Sequence, residues 1–312
     1  FFFGSEMIPW QSIDYHLSSP LFLSIFPNVV ECALSIPGNL FGLPIFTLVI
    51  FPNLFAMVTL ESNPYPTCSF WHFTIWSIAI AAMILWYHVL NGNLSAIRFF
   101  YGPVTGAGST FLGIFLLSCI PEQFEPSRSV GHVCIVNWCL SVVPVALLKP
   151  AIARQRPVTL NNSEIQRARQ MKHLSTLPRL FHKDGSASFP SGDAAGAMAI
   201  AYTINQCFDV SDWLIISVLL LSGIGRMYWQ AHYFFDVLIG MALAYCFILL
   251  FGPSLSTAPS KGSHWWEGIV AHLVLCSTVV ASRLYWKAKV FHSGTIEVGK
   301  LSIIKKPLKT VE

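Results

Sequence analysis

Three short stretches carry most of the chemistry this sequence could perform. In "KPAIARQRP" six residues separate Lys149 from Arg156, and "FPSGD" sets Ser191, Gly192 and Asp193 at the mouth of an apolar run. In "GRMYWQAHYFFD" Arg226 precedes His232, and Asp236 follows that histidine four positions on. Residues four apart on a helix share a face, so His232 and Asp236 stand together. A carboxylate accepting from one imidazole nitrogen sets the tautomer and leaves the other nitrogen free to attack. Lys149, Arg156 and Arg226 supply donors for the oxygens of a phosphoryl group. Ser191 and Gly192 open a helix, whose amides and dipole also favour an anion. Phosphoryl transfer asks mainly for positioning and charge neutralisation. Guanidinium and ammonium groups can do that work without a metal, and the sequence offers no metal-ligand cluster.

Taken singly, each residue has an ordinary explanation. Lys149 and Arg226 could be snorkelling cations at helix ends, His232 a satisfied interfacial histidine, and Asp236 a partner for an arginine. Their joint position is what the rest of the chain must explain. Of its 312 residues 54% are hydrophobic and only 11% charged, with a mean hydropathy of +0.58. A soluble domain carries about 25% charged residues, so the composition reads as a polytopic membrane protein of the all-α class. Helices of about 20 apolar residues cross a bilayer, and candidate spans lie near 40–60, 70–90, 103–120, 130–149, 191–208, 212–226, 233–252 and 267–284. The third, "PVTGAGSTFLG", is rich in small residues that let helices approach closely in lipid. Trp71, Trp86, Trp213, Trp265 and Trp266 fall near span ends, as an interfacial belt would place them.

This order of spans gathers the chemistry. The fourth span ends at Lys149, and the fifth begins at Ser191 on the same side, because only a polar segment (150–190) joins them. Two crossings later the sixth ends at Arg226 and the seventh begins near His232. All four points therefore lie at one face, where buried ionisable groups are costly and usually functional. The net charge of +4 comes with no aromatic-and-basic recognition motif, so nucleic acid is not an expected partner. The eight cysteines form no CxxC pair and read as inert thiols within apolar stretches. The chain opens on Phe1 rather than methionine, which leaves room for a longer natural chain. Its first forty residues are too irregular to decide on a signal peptide.

Taken together, the three stretches resemble the signature of the type 2 phosphatidic acid phosphatase superfamily, which also includes glucose-6-phosphatase and vanadium haloperoxidases. The resemblance runs over residues 130–245, in order and with matching spacing. It implies a six-span helical phosphatase core with extra N- and C-terminal spans, and an active site at one membrane face. It implies a phosphohistidine on His232, oriented by Asp236, and phosphate binding by Lys149, Arg156, Ser191, Gly192 and Arg226. It further implies magnesium-independent hydrolysis with no cofactor or metal, acting on a lipid phosphate or diphosphate among membrane lipids. The expected organisation is an N-terminal region (1–39), a transmembrane phosphatase domain (40–284) and a basic tail (285–312). The expected location is the endoplasmic reticulum or another endomembrane.

Two residues depart from that pattern. Gly225 stands where the family usually has serine, and Asp193 where it usually has the histidine that protonates the leaving oxygen. Beside several cations Asp193 is expected to be ionised and therefore a poor acid. Three readings stay open: a base that activates water on the phosphohistidine, a site for diphosphates whose leaving group needs less protonation, or a slow or silent phosphate binder. A fourth is structural, a carboxylate stabilised by a helix N-terminus. A phosphotransferase is a further alternative, because an alcohol can intercept the same intermediate. The side of the membrane also stays open. Basic tail residues favour a cytosolic site, whereas sequons at Asn93 and Asn161 and the family's usual extracytoplasmic site favour the lumen.

Overall fold

The computed structural model describes residues 9–61, 103–118, 120, 125–152, 154, 156–157, 187–208, 210–255, 277 and 281. Every regular element among them is helical: α1 (Pro9–Leu23), α2 (Asn28–Leu40), α3 (Phe51–Glu61) with a π-helical lead-in at Phe46–Ile50, α4 (Pro103–Ser118), α5 (Glu125–Ile152), α6 (Gly192–Cys207), α7 (Asp212–Tyr228) and α8 (Phe234–Leu255). The spans expected near 40–60, 103–120, 130–149, 191–208, 212–226 and 233–252 coincide with helices. Those at 70–90 and 267–284 fall outside the described residues, apart from Ser277 and Ala281, as do the sequons, the basic tail and most of the 150–190 segment. Two of the described helices are long and apolar enough to cross a membrane: Glu125–Lys149, with mean hydropathy 1.9, and Phe234–Pro253, with 2.4.

The centre of the bundle is α6, against which α5, α7 and α8 pack. Its sequence explains why three helices can crowd it. Ala194, Ala195, Ala197, Ala199 and Ala201 are all fully buried, and such small side chains let neighbouring backbones come close. Its own start is capped locally, by the Ser191 hydroxyl accepting from Ala194 N–H at 3.3 Å. The neighbouring helices fill the space with larger groups, such as Ile135, Leu117 and Leu48 on one side and Ile248, Val136 and Leu140 on another.

Polar residues inside these apolar helices satisfy themselves against their own backbone. Thr47, Asn53, Ser141 and Thr203 each donate to the carbonyl four residues earlier, at 2.7–3.0 Å. Asn137 then donates across from α5 to the Thr203 hydroxyl on α6 at 3.0 Å. In a water-poor interior each such bond avoids the penalty of an unpaired polar group.

At Gly240, α8 comes close to the N-cap of α6. A Cβ there would meet the Ser191 carbonyl oxygen at 2.4 Å and its amide nitrogen at 3.2 Å. Backbone cannot rotate aside, so the two helices would have to part. Gly240→Ala is therefore expected to cost about 1–3 kcal/mol, seen as a lowered midpoint of thermal unfolding; an unchanged midpoint would count against this contact.

Candidate active site

The loop between α7 and α8 builds the centre of the site. The α7 helix ends with Trp229 N–H donating to the Gly225 carbonyl at 3.0 Å, and the chain then turns through Gln230, whose φ is 58°. A left-handed backbone is unusual for a residue with a side chain, and here tertiary bonds hold it. Gln230 Nε2 donates to the Phe22 carbonyl at 3.0 Å, and Arg156 Nη1 donates to the Ala231 carbonyl at 3.2 Å. The turn delivers His232, fully buried, to the start of α8.

His232 Nδ1 lies 2.7 Å from the Ser188 carbonyl oxygen. A carbonyl only accepts, so Nδ1 carries the proton and donates, and Nε2 presents its lone pair. Nε2 has no hydrogen-bond partner among the described residues, with Asp193 Oδ2 at 3.6 Å across from it. An unbonded basic nitrogen in a buried setting is the form a nucleophile requires. Burial pushes the His232 pKa down, as do Arg156 and Arg226, while Asp193 and Asp236 pull it up. That upward pull comes from the nearby carboxylate charge at 3.6 and 3.8 Å rather than from hydrogen bonds, and the balance is downward, which favours the neutral ring.

Asp236 is placed differently from the simple pairing that its spacing implies. Its Oδ2 stands 3.8 Å from His232 Nδ1, beyond hydrogen-bond reach. That oxygen instead accepts from Tyr233 N–H at 2.9 Å, the reach-back bond of a third helical residue to its own helix start. Oδ1 accepts from Arg154 Nη1 at 2.7 Å. The Ser188 carbonyl therefore fixes the tautomer, and Asp236 lends negative charge beside the ring.

The cations converge on the same place from three elements. Arg226, at the end of α7, pairs its Nη2 with Asp193 Oδ2 at 2.7 Å. Lys149, near the end of α5, donates to the Ala187 carbonyl at 3.4 Å and lies within electrostatic reach of Arg156, Asp193 and Arg226. The Arg154 carbonyl ties this segment to the chain entering α6 by accepting from Ser188 N–H at 2.8 Å. Ser191 is buried; its amide donates to the Asp236 carbonyl at 2.8 Å, and Gly192 is the first residue of α6. Asp193 thus faces both an arginine and the open imidazole nitrogen, the cationic surroundings its sequence position implied. Gly42 lies opposite it, and because a Cβ there would come 1.5 Å from Asp193 Oδ1, a larger residue would displace the carboxylate. Among the described residues, no group of three or more His, Cys, Asp or Glu side chains could hold a metal ion.

Four participants carried no signal in the sequence motifs: Asp14, Ser18, Arg154 and Ser188. Ser188 acts through its carbonyl, which any residue could supply. Arg154 resembled its basic neighbours in the loop. Asp14 and Ser18 lie more than 120 residues from the motifs, in a stretch whose helical pattern is interrupted by Pro20.

A buried, singly protonated imidazole facing guanidinium groups, held among the helices of the described residues, is an arrangement suited to a small anion. Residues 131–258, the stretch that holds all three motifs, match the family model of the PAP2 superfamily, as a member of that superfamily would. The match supports phosphatase-type chemistry on a phosphate-bearing substrate. No curated protein and no solved structure matched the chain.

The lowered His232 pKa has a consequence for stability. The unfolded chain takes up a proton near the ordinary value of 6.5, and the folded one only at lower pH. Between those values the unfolded state binds more protons, so this contribution is present above pH 6.5 and lost as the pH falls below it. Wild type should therefore lose stability relative to His232→Gln on acidification below pH 6.5; parallel curves would show that His232 is not held neutral.

Proposed function

We propose that this protein is a membrane-embedded lipid phosphatase that hydrolyses a lipid phosphate monoester or an isoprenoid diphosphate through a phosphohistidine, without magnesium. The observation that carries the reading is the unbonded Nε2 of His232 in a buried site walled by Arg156 and Arg226. Lys149, Arg156 and Arg226 hold the phosphoryl oxygens, with Ser191 and Gly192 at the N-terminus of α6 beside them. The Nε2 lone pair attacks phosphorus, the bond to the leaving oxygen breaks, and the leaving group departs to be protonated by water. The ring then carries positive charge, which the Ser188 carbonyl and the Asp236 carboxylate accommodate. Water next attacks phosphorus while Asp193 takes its proton, the P–N bond breaks, and the electron pair returns to Nε2.

An aspartate in that position cannot donate a proton while ionised, and its ion pair with Arg226 favours the ionised form. A general acid contributes on the order of 10²–10⁴ in rate, so alkoxide leaving groups suffer most and a diphosphate suffers least. The membrane setting is supported by the outward faces of α7 and α8. Trp213, Leu214, Leu220, Leu249 and Leu250 are exposed there, and an apolar surface of this kind suits lipid better than water.

The same Arg226–Asp193 ion pair favours one other reading. A carboxylate already seated on a phosphate-binding arginine competes with substrate, as it would in a weak or silent relative that binds phosphate without turnover. The two separate on trapping: an enzyme forms a vanadate adduct at His232, whereas a silent relative does not.

Phosphate release from phosphatidate, sphingoid phosphates and prenyl diphosphates, assayed with a chelator present, is expected to favour the diphosphates. His232→Ala should abolish it, and Asp193→His should raise turnover of monoesters. Release that survives His232→Ala would reject the mechanism.

A further inference from the structure

The first turn of α8 is buried at its start, and its N–H groups need acceptors. Tyr233 is no capping residue, and the acceptors come from elsewhere. Asp236 takes the N–H of Tyr233, Ser18 Oγ takes that of Phe234 at 2.9 Å, and Asp14 Oδ1 takes that of Phe235 at 2.9 Å. Both Ser18 and Asp14 belong to α1. Asp14 does more than cap: its Oδ2 accepts from Arg154 Nη1, the same nitrogen that donates to Asp236 Oδ1 at 2.7 Å. The guanidinium also lies over the Tyr233 ring, 3.9 Å from its centroid. Asp14 and Asp236 are fully buried and Arg154 nearly so. One cation is therefore shared between two carboxylates, one of which borders the imidazole.

We propose that Asp14 is a positioning residue of the active site: by sharing Arg154 and holding the start of α8, it fixes Asp236 beside His232 and keeps that carboxylate's charge available to the ring. The inference rests on the reading of His232 as nucleophile, and it draws α1 into the catalytic unit. With Asp14 present, the bridge of two carboxylates and one guanidinium carries a net negative charge. Without it, the Arg154 guanidinium loses one of its two carboxylates and the bridge loses one negative charge. The positively charged phosphoimidazole then loses the charge that steadies it. A wholly structural cap would need only an acceptor for Phe235 N–H, which asparagine supplies equally well.

Other groups also face the ring and stay constant across the test: Asp193 from α6, Arg156 from the segment after α5, Arg226 from α7 and the Ser188 carbonyl. Burial pushes the Asp14 carboxyl up, against the pull of Phe235 N–H and Arg154. Its share of Arg154 is thus strongest once the acid has ionised.

The test follows His232 itself in the full chain, labelled with [13C]histidine, its signal assigned among ten histidines by its loss in His232→Gln. Asp14→Asn should move the titration midpoint down by about half a pH unit or more. Arg154→Gln should move it up, and the double variant should return it toward wild type. Where Asp14→Asn does not fold, the downward step from Arg154→Gln to the double variant isolates Asp14 in a background without the buried cation. In turnover, Asp14→Asn should lower kcat on the order of tenfold with KM little changed, and Asp14→Glu should recover much of it. A midpoint unmoved by removing the Asp14 charge in either background overturns the proposal. Phosphate release that is independent of His232 defeats the catalytic reading instead, and the titrations still decide whether Asp14 is coupled to the ring.

Discussion

A helix that begins inside a protein must find acceptors for its first N–H groups, and the start of α8 meets this need with side chains from distant parts of the chain. Asp14 and Ser18 reach it from α1, and Asp236 reaches back from its own first turn. Each acceptor has a further tie. Asp14 and Asp236 converge on Arg154, whose carbonyl in turn receives Ser188 N–H. The Ser188 carbonyl then receives His232 Nδ1. Satisfying one helix terminus therefore fixes, through a few buried bonds, the orientation of the imidazole. Burial makes the arrangement strict, because removing a partner leaves a polar or charged group without water to replace it.

The same chain of bonds explains what could be read in the sequence and what could not. Helix positions followed from the apolar runs, since about 20 apolar residues between polar breaks leave the backbone little choice but a helix. The convergence of Lys149, Arg156, Asp193, Arg226 and His232 followed from counting crossings, because alternate span ends must share a face. The i, i+4 spacing correctly set Asp236 near His232 but could not tell that its oxygens are engaged by Tyr233 N–H and Arg154. Backbone carbonyls such as that of Ser188 leave no mark on residue identity. The contribution of α1 was hidden for a different reason. Asp14 and Ser18 sit in a helix of mixed polarity, and only the tertiary fold shows which helix start they serve.

Burial and glycine together determine how Asp193 behaves. The carboxylate lies between Arg226 and the open face of His232, and Gly42 gives it room that any other residue would fill. Histidine at this position would bring a donor to the site at neutral pH. Aspartate brings an acceptor and a negative charge, and therefore suits the second half of a phosphohistidine reaction better than the first. In the proposed mechanism, water attacking the phosphoenzyme loses a proton, and a carboxylate 3.6 Å from Nε2 is placed to receive it.

The charges that line the site constrain how a phosphate can enter it. Arg156 and Arg226 contribute positive charge, with the Lys149 amine beside them, and Asp193 opposes them with one negative charge. A phosphate dianion entering among them must take over the Arg226 guanidinium from Asp193, exchanging one buried charge pair for another. A carboxylate released in this way stands beside the phosphoryl group with its lone pairs free, so binding of substrate itself would prepare the base. An aspartate at position 193 would thus forgo an acid and supply a base at once. On the proposed mechanism, this arrangement would favour substrates whose leaving group departs without help.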